Sequence, residues 1–144
     1  MRRASRLLPR GERPEALSVF GESVVERMLS LGESQRLFVG LLGRLIEYTY
    51  KQPGWEFSLA EGYIGDSINK PGEDTPHKRH GAHFNRLGID LNLFIYGKLV
   101  SDGAALEWLE LGVFWEELHP LCFWGGRLDN VDSNHFSLRY RGVA

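Results

Sequence analysis

One cysteine in 144 residues, Cys122, leaves no partner for an internal disulfide and too few thiolates for a cysteine-based metal cluster, so it is expected as a small core residue. No apolar run reaches the roughly 18 to 20 residues of a membrane-spanning helix, and no apolar secretion segment follows the first arginines. A soluble protein made in the cytoplasm, with no stable membrane insertion, is the expectation. Excess charge of either sign is also missing: the formal net charge is −2, which provides no general attraction to nucleic acid. Neither an internal repeat nor a low-complexity segment is visible.

What is present is enough apolar surface for one core: 42% of the residues are hydrophobic and 12% aromatic, which fits a single domain over 15–144. Residues 1–14 carry Arg2, Arg3, Arg6, Arg10 and Arg13 against Glu12 alone, and are expected as a flexible basic leader, either simply solvated or in contact with an anionic envelope surface.

From Pro14 to Leu31, apolar residues at Leu17, Val24, Val25, Met28 and Leu31 predict a helix weakened by Gly21. Ser34 is a candidate cap for the next helix, whose stripe of Leu37, Phe38, Leu41, Leu42, Leu45 and Ile46 ends before Pro53 and Gly54. Trp55, Phe57 and Leu59 alternate with polar residues, the period of a half-buried strand. Residues 65–82 show neither period and read as a long loop. Ile89, Leu91, Leu93 and Ile95 form the apolar side of a second strand whose other side presents Asp90 and Asn92. A turn at Gly97 and Lys98, a helix from about Ala104 to Leu118 capped by Asp102, and a last strand with Phe136, Leu138 and Tyr140 opposite His135, Ser137, Arg139 and Arg141 complete the pattern.

Two of these strands, far apart in sequence, each place one metal-ligating residue on a polar face: Asp90 and His135. His83, seven residues before Asp90, offers a third ligand. Two imidazoles and one carboxylate leave a fourth position of a tetrahedral zinc open, which is what hydrolysis requires. Asp132, three residues before His135, stands where a general base would be needed. Rival groupings exist: His77, His80 and His83 recur every three residues, although Pro76 and Gly81 argue against a helix there, and Glu116 with His119 forms an acid and histidine pair near a helix end. Trp124, before two glycines, reads equally as a groove wall or as core, and Arg139 as a substrate-carboxylate ligand or as surface.

The run His83-Phe84-Asn85-Arg86-Leu87-Gly88-Ile89-Asp90-Leu91-Asn92-Leu93-Phe94, followed by Trp124-Gly125-Gly126 and Asp132-Ser133-Asn134-His135-Phe136, resembles the zinc D-Ala-D-Ala carboxypeptidase family. Within that family it is most similar to VanY-like L-alanyl-D-glutamate endopeptidases of phage endolysins. The resemblance extends from about Ser34 to Leu138. It implies an α+β fold, with a small antiparallel sheet packed with helices as in Hedgehog and DD-peptidase domains. It also implies one catalytic zinc on His83, Asp90 and His135, with Asp132 as the catalytic acidic residue. The implied partner is the peptidoglycan stem peptide, cut by a monomer during phage lysis after release from the host cytoplasm. Two positions depart from the family pattern: Gly81 stands where many relatives have serine, and Ile64 where many have an arginine thought to hold the oxyanion. Arg86 and Arg79 are candidate substitutes. The remaining functions are a D,D-carboxypeptidase and a wall-binding module that keeps zinc with weakened catalysis. A non-haem iron oxygenase also uses two histidines and one carboxylate, but its histidine and carboxylate ordinarily lie one residue apart on a larger barrel.

Overall fold

The computed structural model describes residues 29–60, 81–83 and 85–144. The expected helix over Pro14–Leu31 up to residue 28, the basic leader, most of the 65–82 loop, His77, His80, Arg79 and Ile64 lie outside them, while Leu31, expected as the end of that helix, is instead the first residue of the next one. The described residues form an α+β arrangement in the order α1 (Leu31–Lys51), β1 (Trp55–Leu59), β2 (Gly88–Ile95), β3 (Lys98–Leu99), α2 (Leu106–Leu118), β4 (Cys122–Trp124) and β5 (His135–Leu138). A single 3-10 turn, Gly125–Arg127, follows β4.

Helix α1 is capped four residues earlier than expected. Ser30, not Ser34, is the N-cap: its hydroxyl accepts from the Glu33 amide while the Glu33 carboxylate accepts from the Ser30 amide. Two amides left without helical partners are satisfied at once by this reciprocal pair, which the Ser-x-x-Glu spacing permits and Ser34 lacks. Ser34 is instead buried inside the helix beside Phe38, Leu41 and Leu45, while Ile46 at the edge of the expected stripe is exposed.

Helix α2 starts at Leu106 with Ala105 as an N-cap that makes no side-chain bond. Asp102 caps the turn before it, accepting from the Ala104 amide at 2.9 Å. The helix buries Trp108, Leu111 and Trp115, while Leu106 and Leu109 face outward.

All strand pairs are antiparallel, in the order β1-β2-β5-β4, with β3 folding back on the end of β2. The connection from β2 to β3 turns at Tyr96 and Gly97, both at positive φ, so Lys98 belongs to a strand rather than to the turn. Strands β3 and β4 are too short to show a period in the sequence. Strand β5 stops at Leu138; the Arg139 amide then donates to the Leu121 carbonyl, and Tyr140 bridges to Val143.

Period two divides the sheet. One face carries Ile89, Leu91, Leu93, Phe136, Leu138, Cys122 and Trp124 into the core with Phe38, Leu41, Leu45, Leu111 and Trp115 of the helices. The Trp115 indole also donates to the Phe123 and Ser137 carbonyls, tying α2 to β4 and β5. The opposite face carries Asp90, Asn92, His135 and Ser137. His135 and Ser137 are buried on this face, where a simple half-exposed strand would leave them open.

Candidate metal centre

Asp90 and His135 are direct partners in the β2–β5 register, so their side chains leave the same face side by side. Opposed residues of an antiparallel pair have Cβ atoms about 4.5–5.5 Å apart, close enough for short side chains to meet. The His135 Nδ1 lies 3.0 Å from the Asp90 Oδ1.

His83 reaches this pair from a turn. The Asn85 amide donates to the Gly81 carbonyl, Arg86 to His83 and Leu87 to Ala82, tying residues 81–83 to 85–87 just before β2 begins. Arg86 takes φ 58°, a left-handed backbone that redirects the chain, and Leu87 then plugs the core. Gln35 of α1 donates from Nε2 to the Asn85 carbonyl at 2.8 Å, fastening the turn to the helix. The imidazole arrives with its Nε2 3.2 Å from the His135 Nδ1 and 3.3 Å from the Asp90 Oδ1. The three side chains are 12%, 19% and 9% exposed for His83, Asp90 and His135, so the group is shielded without being sealed.

Two glycines make this convergence sterically allowed. A Cβ on Gly88 would stand 3.0 Å from the Ala82 Cβ and 3.2 Å from the His135 Cε1, so any side chain there would press the His83 turn and the His135 ring apart. A Cβ on Gly125 would collide with the Asp132 carbonyl and lie 2.9 Å from the His135 Cβ. The Gly125 carbonyl in turn accepts from the Asp132 amide at 3.0 Å. Nothing in the sequence pointed to Gly88 or Gln35.

Asp132 occupies the exposed turn before β5, whose closing bond runs from the His135 amide to the Asp132 carbonyl at 3.1 Å. Among the metal-free titrations, burial alone would raise Asp90, but hydrogen bonds from His135 and His83, and their charges, hold it well below the usual carboxylate range. His83 is raised, chiefly by its hydrogen bond to Asp90, against the opposing effect of burial. Asp132 is raised by desolvation and by the nearby Asp90 charge, with the two imidazoles pulling it down. A carboxyl raised in this way is a better proton acceptor than a free aspartate.

His83, Asp90 and His135 could therefore hold a metal ion: one ligand atom from each lies within 4.8 Å of the others. The other expected site residues lie elsewhere. Trp124 is buried, with its indole donating to the Ser133 carbonyl at 2.7 Å, so its visible work is to hold the Asp132 turn from beneath. Arg86 is exposed on the His83 turn. Arg139 lies over the Phe123 ring at 5.1 Å, just past the end of β5. Glu116 and His119 are engaged separately: Glu116 accepts from Arg127 at 2.8 Å, and the His119 Nδ1 accepts from the Leu121 amide.

Compared with protein-family models, the chain matches none, and the comparison with curated proteins likewise finds no match. No helix among the described residues is long and apolar enough to cross a membrane.

Proposed function

We propose that this chain is a zinc-dependent peptidase of the bacterial-wall stem peptide, an L-alanyl-D-glutamate endopeptidase of the endolysin type with a DD-peptidase-like fold. The observation that carries the reading is the triangle of donor atoms with edges of 3.0, 3.2 and 3.3 Å, beside which Asp132 stands. Zinc bound tetrahedrally at about 2.0–2.1 Å separates its ligands by about 3.3–3.4 Å, so the donor set and its spacing both suit that ion. The resemblance of the residues around His83, Asp90 and His135 to the zinc D-Ala-D-Ala carboxypeptidases supplies the substrate class.

Zinc held there supplies Lewis acidity, making a water acidic near neutral pH and polarising the carbonyl it meets. The chain supplies the rest. Asp132 accepts the proton of the attacking water on a carboxylate oxygen and returns it to the departing amine. Asp90, ionised at all ordinary pH values, keeps both imidazoles turned towards a shared centre. The same face continues along β2 to Asn92, whose amide donates to the Ser58 hydroxyl at 3.3 Å, a polar pair beside which an extended peptide would lie.

Purified peptidoglycan digested with the zinc-loaded chain should release new N-terminal D-glutamate, identified by mass spectrometry. Free D-alanine in its place would identify a D,D-carboxypeptidase. Bound zinc with no new ends from either bond would sink the peptidase reading and leave a wall-binding module.

A further inference from the structure

Among the described residues the Asp132 carboxylate takes no hydrogen bond, so its aim depends on the backbone that carries it. That backbone has an exposed approach: residues 127–131 are all exposed, Val131 to 62%. Immediately after Asp132 the situation reverses. Ser133 is 6% exposed and is gripped by two separate elements. Its hydroxyl donates to the Gly103 carbonyl in the turn before α2, and its own carbonyl accepts from the Trp124 indole at the end of β4. The Gly103 turn is itself tied, because Asp102 accepts from the Ala104 amide through its side chain and from the Ala105 amide through its carbonyl.

We infer that Ser133 is a positioning residue, whose hydroxyl locks the Asp132 turn to the entrance of α2 so that the carboxylate stays directed at the metal centre. This rests on Asp132 being the general base. His135 is anchored in addition by its strand pairing with Asp90, whereas Asp132 is held only within its own turn, by backbone bonds to Gly125 and His135, so losing the Ser133 hydroxyl should disturb the base and spare the ligand. One ordinary hydrogen bond corresponds to an effect of about tenfold.

The test uses the full zinc-loaded chain and two readouts. In Ser133→Ala, hydrogen exchange of the Asp132 and His135 amides should accelerate about tenfold while β2 amides and zinc content stay unchanged. On stem peptide, kcat should fall about tenfold with KM constant, Ser133→Thr should recover it, and in an Asp132→Asn background Ser133→Ala should cost nothing further, because both changes act through one carboxylate. Equal losses in both backgrounds, unchanged exchange, lost zinc or an unfolded Ser133→Ala would each overturn the inference. Absence of turnover in the unaltered chain would count against the peptidase reading alone, since amide exchange still decides the role of Ser133.

Discussion

Asp90 and His135 are held by strand register; His83 and Asp132 are held by turns. The first pair inherits its spacing from a backbone ladder braced by a core of Leu91, Leu93, Phe136 and Leu138. The second pair has no ladder, and each turn is tied to a distant element by single side-chain bonds: Gln35 to the His83 turn, Trp124 to the Asp132 turn, and Ser133 within that turn to Gly103. A sheet sets two ligands at a fixed distance without help, but a third ligand and a base must come from outside the sheet plane, and their placement depends on a few single bonds. Failure should therefore be graded: total when the register pair is altered, partial when a tie is cut.

The largest effect is expected from the two aspartates. Asp90→Asn removes the charge that both imidazoles share, so zinc should drop from about one per chain to near zero and peptidase activity should vanish with it. Asp132→Asn should keep zinc and the melting temperature while losing roughly 100- to 10,000-fold in rate, the usual contribution of a positioned general base. Metal analysis and stem-peptide turnover on each variant would check this. If Asp132→Asn retains near-normal turnover while zinc-loaded, Asp132 is not the base.

A smaller effect is expected at the tie on the His83 turn. Gln35→Ala should weaken zinc binding about tenfold, the lower end for groups that orient metal ligands, and leave turnover at saturating zinc unchanged. Competition with a chromophoric chelator measures it. An unchanged affinity would mean that the bonds within 81–87 hold His83 unaided.

The smallest effect is a pH dependence of the metal-free chain. Asp90 is lowered, so its contribution to stability is present above the ordinary aspartate value of 3.8 and is lost as pH falls through its lowered pKa. His83 is raised, so its contribution is present below the ordinary histidine value of 6.5 and is lost as pH rises through its raised pKa. Melting temperature without metal should peak between those two values, and zinc affinity should climb with pH as the His83 proton is displaced. A melting temperature that keeps rising above neutral pH would contradict this account.

Much of the scaffold could be read from pattern alone. The α1 stripe and the alternation over Ile89–Ile95 placed a helix and a strand where they are found, because side-chain periodicity is a local consequence of backbone geometry. Where two local signals competed, the stronger chemistry prevailed: the reciprocal bonds of Ser30 and Glu33 displaced Ser34 as a cap. Strands of two or three residues, β3 and β4, were beyond any periodic signal.

By itself the sequence determined which residue types are on offer: two histidines and two aspartates at suggestive spacing, Asp90 and His135 among them on strands whose opposite side must be buried. Only the tertiary structure decided that they meet. The Asp90–His135 pairing is a matter of long-range register, the entry of His83 depends on the space left by Gly88, and the fastening of the two turns depends on Gln35 and Ser133 finding carbonyls 50 and 30 residues away. Such bonds leave no periodic trace along the chain, because they are satisfied by whichever carbonyl the packed core brings within reach.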